Sequence, residues 1–160
     1  MVEFKKITMD MVREVIKMDP GEEGKNYVAP NVTSLAQAYV VLANKTGDVM
    51  PFAIYHEDQM VGFIQMSYAT PDQDEDLDEP MYDIWRFMVD EKFQGKGYGK
   101  AALKKAIDYI RTYPCGPANK LSLSYVPGNA GASGLYKSVG FEETGDMDHG
   151  EVIMELDLRK

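Results

Sequence analysis

Gln94-Gly95-Lys96-Gly97-Tyr98-Gly99 places glycine at every second position, directly after the apolar end of a strand-like run, Phe87-Met88-Val89, and before a run with helical spacing. Glycine adopts the conformations that a curled backbone needs, and its missing side chain opens main-chain N–H groups to an anion. The following helix adds unpaired N–H groups and the positive end of its dipole at the same point. The chemistry expected is the holding of a phosphate at a helix mouth. Spacing excludes two common phosphate loops. A dinucleotide fingerprint needs glycine where Lys100 stands, and a Walker loop needs four residues between its glycines followed by Gly-Lys-Ser/Thr. Lys92, Lys96, Lys100, Lys104 and Lys105 lie in a segment free of acids, inside a chain of formal net charge −9. The alternative for the loop is a flexible turn ahead of a helix.

The elements that must position this loop follow from periodicity. Tyr82 to Val89, with its aromatic and branched residues, predicts a central strand; Ala102, Leu103, Ala106, Ile107 and Ile110 predict a helix that stops at Tyr113-Pro114. Upstream, Phe4 to Ile7 reads as a strand and Thr8 as the cap of a helix through Val12, Val15 and Ile16, ending before Pro20-Gly21. Residues 22 to 31 read as loop. A second helix opens at Ser34, with Leu35, Ala38, Tyr39 and Leu42 on one face, and ends near Gly47. Phe52 to His56 and Met60 to Tyr68 form a hairpin; residues 72 to 79 are too acidic for an interior strand and read as an exposed connection. Lys120 to Val126 is a strand and Asn129 to Val139 a short helix. Phe141 onward pairs with Val152 to Leu158 around Asp148-His149-Gly150. The order is strand, helix, helix, three strands, helix, strand, helix, two strands. An α/β (α+β) fold follows, with a mixed, mostly antiparallel central sheet flanked by helices.

At 160 residues the chain predicts one domain, 1–160. No apolar run approaches the roughly 20 residues of a membrane span, and the start lacks the order of a secretory signal, so a cytoplasmic protein without membrane association is expected. One cysteine, Cys115, excludes an internal disulfide and a cysteine-based zinc site, and suits a reducing compartment. The acidic balance disfavours nucleic acid and makes a cationic partner easier, although acidity for solubility alone gives the same composition. His56 and His149 fall at turns, and with Asp146 or Asp148 they lack metal-ligand spacing, so no metal is expected.

The glycine loop following Val89 resembles the acetyl-CoA signature Arg/Gln-x-x-Gly-x-Gly/Ala of the GNAT superfamily of N-acetyltransferases. Asn129, Leu135-Tyr136-Lys137 and Gly140-Phe141 resemble its second cofactor segment at the expected distances, and the element order is similar along essentially the whole chain. Within the superfamily, Tyr27-Val28-Ala29-Pro30-Asn31, Ser34-Leu35-Ala36-Gln37-Ala38 and Trp85-Arg86-Phe87-Met88 resemble bacterial spermine/spermidine acetyltransferases.

The resemblance implies direct transfer of an acetyl group from acetyl-CoA to a primary amine of a polyamine. It implies that Gln94, Gly95, Lys96, Gly97, Tyr98, Gly99 and Lys100 hold the pyrophosphate, and that Phe87, Met88 and Val89 carry the pantetheine arm, steadied by Asn129. The Val89 N–H would face the thioester oxygen, and Tyr136, protonated at neutral pH, would give its proton to the departing thiolate. Strand alternation puts Asp83 on one face with Trp85, Phe87 and Val89, which makes it the base expected, or else an edge acid without a catalytic role. Related polyamine enzymes carry the acid where this chain has Trp85. Glu22, Glu23, Tyr27, Trp85 and the acidic connection 72 to 79 would meet the amine. No covalent nucleophile is required, and Cys115 is read as structural. The alternatives are acetylation of another amine, such as an aminoglycoside, amino acid or protein N-terminus, and a non-catalytic acyl-CoA-binding module. A homodimer also follows from the resemblance.

Overall fold

Tyr82 to Val89 has the pattern of a strand covered on both faces, and the computed structural model, which describes residues 1–160, places it in the middle of a seven-stranded sheet. The strands are β1 (Glu3–Lys6), β2 (Asp48–His56), β3 (Gln59–Ala69), β4 (Met81–Val89), β5 (Lys120–Tyr125), β6 (Glu142–Asp148) and β7 (Glu151–Asp157). Their order is β1-β2-β3-β4-β5-β7-β6. Every neighbouring pair is antiparallel except β4 and β5, which are joined by the crossover that carries the glycine loop. That parallel pair has only two registered positions, Tyr82 with Leu121 and Asp83 with Ser122, after which the strands part.

The helices are α1 (Val12–Lys17), α2 (Gly21–Gly24), α3 (Asn31–Asn44), α4 (Tyr98–Ile110) and α5 (Ala130–Ser138). One sheet face is covered by α4. There Ala102, Leu103, Ala106, Ile107 and Ile110 pack on Ile64, Met66, Tyr82, Ile84, Leu121 and Leu123, all buried. The other face carries the smaller cluster Val15, Ala53, Met60, Phe63 and Met88 beneath α1 and α3. Two buried amides fix α3 in place: Asn31 Nδ2 donates to Val15 O at 2.9 Å, and Gln65 Nε2 donates to Ser34 O at 3.0 Å.

The mixed sheet with helices on it matches the expected class, and four local readings are corrected. The stretch read as loop contains the single helical turn α2, so three helices rather than two lie between β1 and β2. The next helix begins at Asn31, not Ser34, because Pro30 supplies a helix-compatible φ of −56° at its entry and Asn31 finds its partner in α1. Its inner face is Asn31, Ser34 and Ala38, while Tyr39 and Leu42 are exposed, so the polar residues near the start face inward. Thr8 caps no backbone N–H; its hydroxyl turns to the Asp10 carboxylate.

Pro51 lies within β2. Since β1 ends opposite Phe52, that part of β2 has a strand neighbour on one side only, where a strand tolerates proline. Gly62 faces Val89 across the β3/β4 pair, and a Cβ there would overlap the carbonyl oxygen of Met88. Gly62→Ala is therefore expected to lower stability by about 1–3 kcal/mol, the usual range for overpacking, read as a lower urea midpoint. An unchanged midpoint would show that β3 and β4 can separate freely here.

Candidate active site

The turn after β4 is tied down before the glycines begin. Asp90, 5% exposed, donates its N–H to Val61 O at 2.8 Å and accepts the Lys92 N–H on Oδ1 at 3.0 Å. Gly95 and Gly97 then adopt φ of +78° and +84°, and nothing lies within 4 Å of a Cβ built on either. Backbone conformation, not crowding, therefore calls for glycine at these two positions. Gly99 differs: it is helical, and an added Cβ would make ordinary contacts with Phe87, Val89 and Leu135.

None of the N–H groups from Gly95 to Lys100 finds an acceptor within the chain; the first to donate is Ala101, to Gly97 O at 3.1 Å. Six consecutive unpaired amides at the mouth of α4 form a donor array suited to an anion. Lys96 and Lys100 stand exposed beside them. The Tyr98 ring packs on His56, with centroids 4.7 Å apart, so Tyr98 offers the array its N–H.

Beyond Asp83, β4 has no neighbour on the β5 side. Successive N–H groups of a strand point to opposite edges, and the Asp90 N–H reaches back to β3, so that of Val89 points into the opening. Gln94 Nε2 donates to the Val89 carbonyl at 2.9 Å, occupying that acceptor. Met88 is placed differently from Phe87 and Val89. Its side chain is buried under α1 and α3, where Asn31 Nδ2 lies 3.8 Å from its sulfur.

α5 closes the far side of the opening. Asn129 Oδ1 accepts the Ala132 N–H at 3.2 Å and so caps α5, which leaves its side-chain N–H₂ free. Tyr136 packs against Phe141 with ring centroids 6.2 Å apart. Its hydroxyl is pushed up to about 12, mainly by burial and then by the charge of Glu151. It stays protonated across the physiological range.

Asp83 does not share a face with Phe87 and Val89. The β3/β4 register slips at Trp85: Ile84 pairs with Met66 and Arg86 with Gln65, leaving Trp85 as a bulge. Asp83, opposite Ser67, therefore belongs to the α3 side with Gln65 and Arg86, whereas Phe87, opposite Ile64, belongs to the α4 side with Tyr136. The expected alternation fails because a bulge adds one residue to one strand. The Asp83 carboxyl is raised to about 6, foremost by burial, with Asp148 and Glu151 adding repulsion; a hydrogen bond from Ser122 Oγ at 2.7 Å and the Arg86 charge oppose the rise.

These groups line one cleft of about 1750 Å³. Its lining holds the donor array with Phe87, Val89, Asn129 and Tyr136, and also Asp83, Trp85, Glu22, Glu23 and Tyr27. The Arg86 guanidinium lies 5.4 Å from the Trp85 ring. Lys25 reaches Glu22 at 3.2 Å and Asp19 at 3.3 Å, so it competes with any cation arriving there. Residues 72 to 79 form the exposed turn expected of them and do not line the cleft, so they supply no rim. Cys115 lies outside the cleft, its N–H on Tyr82 Oη at 3.0 Å. No set of His, Cys, Asp or Glu converges as a metal site.

Sequence reasoning missed Ser122, Ser124, Arg86, Asp148 and Glu151, all of which line the cleft. Ser124 Oγ donates to Glu151 Oε1 at 3.2 Å. A signal existed for the serines: they alternate with Leu121 and Leu123, which marks a polar face. None existed for Glu151, whose nearness depends on β7 lying beside β5.

Comparison with known proteins agrees with this geometry. The acetyltransferase (GNAT) family model matches residues 14–141. Spermine/spermidine N(1)-acetyltransferase of Bacillus subtilis (strain 168) is 36% identical over 110 residues, 68% of this chain and 70% of that one. Among solved structures, spermidine N-acetyltransferase from Vibrio cholerae in complex with CoA and spermine superposes with a TM-score of 0.69 at 14% identity, over 99% of this chain and 96% of that one. Aminoglycoside acetyltransferase AAC(6')-Ib in complex with coenzyme A gives 0.77 at 17% identity, over 98% and 95%.

The raised Asp83 carboxyl has a consequence for stability. Its value of about 6 in the fold, against 3.8 without burial, means the folded state holds the proton more tightly. Stability is therefore lost as pH rises from 3.8 through 6, and the loss persists above. Asp83→Asn keeps an acceptor for Ser122 and removes the buried charge. The variant is expected to match the parent below about pH 4 and exceed its urea midpoint at pH 8. A parent more stable than the variant at pH 8 would overturn burial as the dominant cause.

Proposed function

The chain belongs to the acetyltransferase (GNAT) family and is an acetyl-CoA-dependent N-acetyltransferase, and from that premise we propose that it transfers acetyl directly to a primary amine of spermidine or spermine. The observation that carries this acceptor is the acidity of the cleft beyond the donor array. Its lining carries the carboxylates of Glu22, Glu23, Asp83, Glu91, Asp148 and Glu151 against the cations of Lys25, Arg86 and Lys100. A polycation gives up its water only where carboxylates replace it, which such a wall supplies. The 36% identity to a spermine/spermidine acetyltransferase supports the same reading.

Acetyl-CoA supplies an activated thioester, and the residues present fit it. The amides of Gly95 to Lys100 would hold its pyrophosphate, and the exposed edge of β4 at Phe87 and Val89 would bind the pantetheine amides as a missing strand does. The Val89 N–H would stabilise the carbonyl oxygen as negative charge grows on it. Asp83, with a carboxyl near 6, is ionised at neutral pH and would take the proton the amine sheds on attack. Tyr136 would give its proton to the sulfur as the C–S bond breaks. Because the bulge turns Asp83 to the α3 side while Tyr136 stands on the α4 side, base and acid would approach from opposite faces of the sheet. Glu151 and Asp148 would hold a second ammonium of the polyamine.

In this reading one domain, residues 1–160, carries both halves of the site and works in the cytoplasm. No helix is long and apolar enough to cross a membrane. A homodimer would use β6, a sheet-edge strand exposed along its whole length. Acetylation of another amine, such as an aminoglycoside, is the second reading, since the aminoglycoside enzyme shares this fold.

Two measurements test the proposal. Thiol release from acetyl-CoA with a panel of spermidine, spermine, an aminoglycoside and a peptide N-terminus is expected to be fastest with the polyamines. Rapid turnover of another amine while both polyamines are inert would remove them as acceptors. Tyr136→Phe is expected to lower kcat by about 10²-fold or more with little change in the KM for acetyl-CoA. Unchanged kcat would reassign Tyr136 to packing.

A further inference from the structure

Residues 19–27 bring Glu22, Glu23 and Tyr27 to the cleft, yet their only regular element, α2, is one helical turn, too short to hold itself. The segment is held by the loop that binds the cofactor. Asp19 O accepts the Glu91 N–H at 2.8 Å, and Asp90 Oδ2 accepts the Asp19 N–H at 3.2 Å. Gln94 spends both N–H bonds of its amide on main-chain carbonyls, Pro20 O at 3.0 Å and Val89 O at 2.9 Å. Gly21, at φ +90°, sits so close that a Cβ would come within 3.3 Å of the Glu91 carboxyl carbon. Asp90 is nearly fully buried and serves two masters: Oδ2 holds the acceptor rim and Oδ1 holds the Lys92 N–H at the root of the glycine loop.

We propose that Asp90 and the Gln94 side chain are positioning residues that tie the acceptor rim to the cofactor loop, so that filling the loop with coenzyme A orders Glu22, Glu23 and Tyr27 before any amine arrives. An anion on the amides of Gly95 to Lys100 restrains the loop, and the bonds from Asp90, Glu91 and Gln94 pass that restraint to residues 19–27. Gln94 stands just ahead of the anion-binding amides: its backbone N–H turns to Glu91 O at 3.4 Å, and its side chain belongs to the rim. By linkage, whatever the amine is, the two ligands strengthen each other's binding by one common factor. The proposal rests on the reading of this loop as the coenzyme A site and not on the acceptor's identity.

The test is backbone amide hydrogen exchange with and without saturating coenzyme A, in the absence of any amine. In the parent, coenzyme A is expected to slow exchange at Gly95–Lys100 and, by about tenfold, at Gly21–Tyr27, within the usual span of coupled sites. Gln94→Met removes the amide from an exposed position and keeps the backbone donors, so the fold and the loop survive. Asp90→Asn is expected to keep its oxygen on the Lys92 N–H and to turn its N–H₂ toward the Asp19 N–H, so that the bond lost is the one to the rim. In both variants protection at Gly95–Lys100 should persist while that at Gly21–Tyr27 falls below about twofold. A merely structural role would loosen both segments together, with and without ligand. Rim protection in both variants equal to the parent's, or none in the parent, would overturn the coupling. Absence of protection at Gly95–Lys100 in the parent would remove the cofactor reading itself, and the proposal with it.

Discussion

The structure depends on the early separation of β4 from β5. A parallel pair that zipped fully would spend the N–H groups of Phe87 and Val89 on its neighbour and leave no opening. Here pairing stops after Asp83 and Ser122. Two features maintain the separation. The bulge at Trp85 bends β4 just past the last pair, as bulges do in any ladder. Tyr82 anchors the other end: buried in the core, its hydroxyl donates to Gly116 O at 2.7 Å and accepts the Cys115 N–H at 3.0 Å, which pins the chain between α4 and β5. Burial pushes that phenol up to about 12, so it remains a donor.

From this parting the chemistry of the two walls follows. Residues of β4 that turn toward α4 are apolar and meet the side where Tyr136 stands; those that turn toward α3 include Asp83 and Arg86 and meet the carboxylates. The bulge exchanges the faces partway along one strand, so nine residues serve both an aromatic core and a charged cleft. Burial of the Asp83 charge, with repulsion from Asp148 and Glu151 added to it, is a standing cost to the fold, offset in part by Ser122 and Arg86.

Much of this was legible in the sequence where signals are local. The strand before the glycine loop, the helix after it, the hairpins and the alternation of β5 all come from periodicity and turn residues. The failures lie where a distant partner decides. Asn31 enters a helix because its amide finds Val15 O, and α2 forms against the turn after β4. The face of Asp83 was misread because a bulge leaves no mark in residue type: Trp85 is as strand-like as its neighbours. Glu151 could not be placed beside Asp83 without knowing that β7 inserts between β5 and β6.

The bulged residue has a further consequence, because Trp85 is the only tryptophan in the chain. An indole at the wall of the cleft, near a guanidinium, gives the molecule a single intrinsic tryptophan fluorophore whose emission responds to charge and water beside Asp83 and Arg86. The ten tyrosines are spread through the chain, so excitation on the red edge of absorption isolates this one position. The distortion that turns Asp83 away from Phe87 thus also equips the protein with its own optical probe, requiring no label.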